Sequence, residues 1–128
     1  MAGLVAKARV GLVVLALGAV ALGASACSNG TALSDGRSAC HWVTKSVSTL
    51  QAIPNDATTA QRQSQTLLAQ SQLLRALPYA ANATSADGSY NALMTNIQEA
   101  DRVPESYLVP ALVAMCKVIN SPTPYLGS

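Results

Sequence analysis

Beyond residue 36, apolar side chains recur at helical spacing in four stretches, each bounded by proline or by turn-forming residues. The first runs from about Arg37 to Ile53. Its Cys40, Val43, Val47 and Leu50 follow one another at intervals of three and four, which puts them on one face of a helix. Ser34 or Asp35 is placed to cap its start, and Pro54 to end it. Asn55 or Asp56 then opens a second helix that the pattern carries to about Leu77, before Pro78. The stripe expected to face inward is Ala60, Ser64, Leu67, Ser71 and Leu74, with Leu68, Leu73 and Leu77 beside it. The first half of this helix is almost wholly polar and has little to bury. Residues 78–86 read as a loop. A third helix spans about Asp87 to Asp101, with Tyr90, Leu93, Met94, Ile97 and Ala100 on one side. A fourth spans about Pro104 to Asn120 and is apolar nearly all round, the mark of a deeply buried helix, although Pro110 must either kink or start it. Ser121-Pro122-Thr123-Pro124 blocks further helix, so residues 121–128 form an extended tail. No alternation of period two is long enough for a strand. Four helices with short connections predict an all-α, up-down four-helix bundle over residues 37–120.

The segment before the bundle has a different pattern. Lys7 and Arg9 are the only charges in the first 34 residues, the uncharged run Val10 to Ala26 follows, and small residues close it at Gly23-Ala24-Ser25-Ala26-Cys27. A basic start, an apolar middle and a small-residue end are the parts of a secretory signal. The apolar run lies at the short edge of the roughly 17–25 residues that span a bilayer, and its Ala and Gly content weakens it as a permanent span. Ala24-Ser25-Ala26 fits an ordinary signal-peptidase site. Ala24-Ser25-Ala26-Cys27 also resembles the bacterial lipobox, with Ala24 standing where that pattern usually has a larger aliphatic residue. The resemblance implies that residues 1–26 are a lipoprotein signal peptide. It also implies that Cys27 carries a diacylglyceryl lipid with palmitate-class chains, and that the mature protein is anchored at the extracytoplasmic face of a cell membrane. Residues 27–36 then read as the lipidated cysteine and a short tether, at most roughly 30 Å long when extended. The small, Ala-rich chain is similar to lipoproteins of high-GC Gram-positive bacteria.

Three cysteines are present, and an odd number in an exported protein leaves one thiol to explain. With Cys27 taken by lipid, Cys40 and Cys116 remain as a pair. The bundle topology agrees, because it brings the start of the first helix beside the end of the fourth. Such a bond would stabilise the domain by roughly 4.5 kcal/mol in the chain-entropy treatment, less any native strain. A core without phenylalanine in so small a domain has need of a covalent staple.

Charge narrows the partners. Loss of Lys7 and Arg9 leaves six basic residues against six acidic ones. A neutral domain with scattered charges carries no footprint for nucleic acid, and it lacks the polybasic patch that would hold it on anionic lipid. Catalytic constellations are not found. Cys40, His41 and Cys116 lack the second histidine and the C-x-x-C spacing of a zinc site. Glu99, Asp101 and Glu105 read as capping and solvating the junction of the third and fourth helices. The expectation is therefore a non-enzymatic lipoprotein without metal or cofactor, which binds an envelope protein. An alternative is a carrier or sensor of an apolar small ligand held between the third and fourth helices around Tyr90, Met94, Tyr107 and Met115. Another, should ordinary signal peptidase cut, is a secreted soluble protein. Trp42 lies about 200° around its helix from Cys40. That sets it off the apolar stripe as a contact for headgroups or a partner, or as a cover for the core's edge.

Overall fold

Two long helices and two short ones make up the domain, and prolines fall inside one of each. The computed structural model describes residues 29–126. The signal-like segment, Cys27 and the last two residues lie outside them. α1 spans Asn29–Gln51, α2 Thr59–Ala86, α3 Asn91–Gln98 and α4 Glu105–Ile119, with a single 3-10 turn, Gly88–Tyr90, leading into α3. The described residues contain no strand. The helices alternate in direction. Trp42 of α1 meets Arg75 of α2 while Ser46 meets Ala69, and Arg37 and Cys40 of α1 meet Ile119 and Cys116 at the end of α4. The up-down four-helix bundle expected from the pattern is the fold.

Several boundaries differ from the pattern, each for a physical reason. The stretch expected to be a tether is helical from Asn29 onward, and Ala32 and Gly36 are buried within it. Gly36 is not a turn residue. A β-carbon there would overlap the Tyr90 ring, so glycine is what allows the aromatic ring to lie against the α1 backbone. Ser34 and Asp35 therefore lie inside the helix rather than at its cap.

α2 starts at a capping box formed by Thr58 and Gln61 rather than at Asn55 or Asp56. The Gln61 N–H donates to the Thr58 hydroxyl (3.2 Å), and the Thr58 N–H donates to the Gln61 side chain (2.9 Å). It does not stop at Leu77 but runs through Pro78 to Ala86, so the expected loop at 78–86 is helix. Pro78 is exposed, whereas Ala76 and Ala80 on either side of it are fully buried against the core. The carbonyl that Pro78 leaves unbonded thus faces water, and packing on the other side holds the helix together. Pro110 in α4 is likewise exposed and inside the helix.

The inward face of α2 also differs from the expected one. Leu67 and Leu74 are 59% and 62% exposed. The buried positions are Ala69, Leu73, Ala76, Ala80 and Ala83, spaced four-three-four-three. α1 shows the same spacing at Ala32, Gly36, Ala39, Val43 and Ser46, all buried. That is the seam pattern of a coiled coil, here built from small side chains that permit close approach of two antiparallel helices. Ser46 is the polar member of the seam, and its hydroxyl donates to the Ala69 carbonyl across it (2.7 Å). The larger core residues come mostly from the second half of the chain: Leu93 and Ile97 on α3, and Leu108, Leu112 and Ile119 on α4. α4 is not buried all round, since Val113 and Val118 are exposed. Four helices of this size can cover only one face of each.

Candidate functional site

α1 carries a buried arc toward α2 and α4 and an opposite arc that none of the described helices covers. The disulfide lies where the buried arc meets α4. Cys40 and Cys116 are bonded, with α-carbons 5.4 Å apart, and both are buried. Arg37, one turn before Cys40, adds a second tie between the same two helices. Its guanidinium donates to the carbonyls of Ile119 (3.3 Å) and Ser121 (3.1 Å), placing a cation at the negative end of α4.

On the uncovered arc, Arg37, His41 and Lys45 recur every fourth residue and are all exposed. Together with Thr44, Ser48 and Asn120 they line a shallow polar cleft of about 620 Å³. A second cleft of about 410 Å³ adjoins it between α1 and α4, bounded by Thr44, Ser48, Val113 and Lys117. Trp42 sits at the rim of this face. It is half-buried and packs on the core, with Lys45 Nζ and Arg75 Cζ each 5.0 Å from its ring and His41 edge-on at 5.6 Å. Trp42 thus covers the core edge and also gathers two cations, Lys45 from its own helix and Arg75 from α2.

The other residues singled out from the sequence do not gather. Tyr90 is buried in the 3-10 turn, Met94 and Met115 are half-buried against the core, and Tyr107 is 73% exposed. None of the clefts described here is lined by any of the four. Burial holds the Tyr90 hydroxyl above its ordinary pKa. The Asp87 charge pushes the same way and Arg37 opposes it. Asp87 accepts the Ser89 N–H (2.9 Å), and this bond lowers its carboxyl below the usual range.

An apolar cleft occurs elsewhere, between α1, α2 and α4. It measures about 190 Å³ and is lined by Val47, Leu50, Leu73, Leu108 and Leu112 among others, with Glu105 at its edge. It was not legible beforehand because Leu50, Leu73 and Leu108 are far apart in sequence. Among the described residues no three His, Cys, Asp or Glu side chains form a group that could hold a metal ion. No described helix is long and apolar enough to cross a membrane. Glu99 pairs with Arg102 (3.6 Å) in the α3–α4 connection, and Asp101 and Glu105 are exposed. No family model, no curated protein and no solved structure matches the chain.

Proposed function

We propose that the chain is an extracytoplasmic protein held to a membrane by lipid on Cys27, and that its helical domain is a binding module rather than an enzyme. The observation that carries this reading is the Cys40–Cys116 bond. It accounts for both cysteines of the domain, it belongs to an oxidising compartment, and it leaves Cys27 alone beside a signal-like segment. The early start of α1 sharpens the reading. With helix from Asn29, one residue separates it from Cys27, so a lipid there would hold the bundle directly at the bilayer. A Cys-His catalytic pair has no support, because the cysteine next to His41 is in the disulfide. The test is the intact mass of the mature protein with and without reductant. The expected result is a chain that starts at Cys27 with added acyl mass and gains two hydrogens on reduction. An unacylated start at Cys27 would mean release as a soluble secreted protein.

A second reading, the carriage of a small apolar ligand, is favoured by the cleft around Leu50, Leu73, Leu108 and Leu112. Its volume suits a ligand of about benzene size or slightly larger. Native mass spectrometry of protein purified from its own membrane tests it. A co-purified molecule lost on Leu112→Trp supports carriage, and an empty protein opposes it.

A further inference from the structure

We propose that the uncovered face of α1, with the adjoining edge of α4, lies flat against the headgroups of an anionic phospholipid bilayer. This rests on the reading that Cys27 is lipidated. After the signal-like segment the chain is neutral in total, yet several of its basic residues gather on one face. Arg37, His41, Lys45 and Lys117 line the two clefts on this face, and no Asp or Glu lines either one. Arg75 stands at the rim, over Trp42. The carboxylates Asp101 and Glu105 line two other clefts, one between α2 and α3 and one between α1, α2 and α4. Among the described residues the ion pair, Arg102 with Glu99, lies in the α3–α4 connection and leaves this face cationic. Asp35 is the acidic residue nearest in sequence, and it lies on the α2 side of α1, half-buried, closer to the anchored end.

Geometry decides whether Arg37, Lys45 and Lys117 can act together. Measured from Asn29, Arg37 stands about 12 Å along the helix axis and Lys45 about 24 Å. With α1 upright on the membrane, Lys45 and Lys117 cannot both lie within a screening length of about 8 Å from the lipid. With α1 lying down, all of them reach the headgroups at once, and the short link to Cys27 permits that posture. Anionic lipid therefore favours the recumbent domain. Phosphate headgroups then occupy the cleft lined by Arg37, His41 and Lys45 and lie against Lys117 beside it, and Trp42 sits at the interfacial level where its ring is favoured.

The sequence provides a clean probe, because Lys45 and Lys117 are the only lysines after Lys7. The lipidated full-length protein is reconstituted in phosphatidylglycerol vesicles and, separately, in phosphatidylcholine vesicles. Acetylation of each lysine by a soluble reagent is then followed by mass spectrometry. The expected result is that both lysines react roughly fivefold or more slowly on phosphatidylglycerol, and that raised salt restores the rate. Equal rates on the two lipids would overturn the proposal. So would protection that rises with protein concentration regardless of lipid, since that identifies a second copy as the cover. Flotation of the same samples separates the two readings: protein that fails to float with either vesicle refutes the anchor, whereas floating protein with unprotected lysines refutes only the posture.

Discussion

The α1–α2 half and the α3–α4 half of this bundle solve the same packing problem in opposite ways. The first is a long antiparallel pair whose seam is mostly small residues, Ala32, Gly36, Ala39, Ser46, Ala69, Ala76, Ala80 and Ala83, with Val43 and Leu73 among them. Small side chains bury little area each, and the pair compensates by length and close approach. The second half has an eight-residue α3 and a fifteen-residue α4. It supplies large side chains, Leu93, Ile97, Leu112 and Ile119, and is tied to α1 by the disulfide and by Arg37. A helix as short as α3 is not stable alone, so its order comes from tertiary contact. The comparison teaches that the covalent staple joins the long first helix to the last one, while the short α3 between them is held by packing alone.

That contrast can be broken at the staple first. Cys40→Ser with Cys116→Ser is expected to cost up to about 4.5 kcal/mol and to lower Tm well beyond an ordinary point substitution. Hydrogen exchange should rise most in α3 and α4. A melting curve unchanged from the parent would remove the distinction between the halves. Gly36→Ala attacks the contact where the halves meet, and overpacking against Tyr90 should cost about 1–3 kcal/mol. Combining it with Tyr90→Val should recover part of that loss, so that the double variant falls short of the sum of the singles.

A pH scan sharpens the same contact. Folding holds the Tyr90 phenol neutral, raising it above 10.0. Its contribution is complete below that pH, where folded and unfolded chains both carry the proton, and is lost as pH rises through the folded value. The parent should therefore lose stability more steeply than Tyr90→Phe above pH 10, and parallel curves would refute the linkage. The smallest effect is expected on the outer face of α2. Leu67→Gln and Leu74→Gln should each change stability by less than about 0.5 kcal/mol, because both side chains are mostly in water already. A loss of several kcal/mol from either would restore the leucine stripe as the inward one.

Helix count, class and cysteine pairing were legible because each rests on local spacing or on parity. The inward face of α2 was not. Leu67 and Leu74 are the larger apolar residues, and weighting by size points the helix the wrong way. The four-three repeat of Ala69, Leu73, Ala76, Ala80 and Ala83 was present in the sequence but carries a weak hydrophobic signal. The basic face was equally available, since Arg37, His41 and Lys45 recur every fourth residue. A net charge near zero concealed it, because counting charges discards where they are.

The sequence by itself determined that this domain is helical, that it turns back three times, and which cysteines can meet. These follow from side-chain periodicity, turn residues and chain direction, all of which are local. Only the tertiary structure decided that α2 continues through Pro78, that Gly36 lies under an aromatic ring rather than in a tether, and that Arg75 of α2 and Lys117 of α4 come beside the basic face of α1. Those outcomes depend on which surfaces are covered, and a surface is covered by residues far away in the chain.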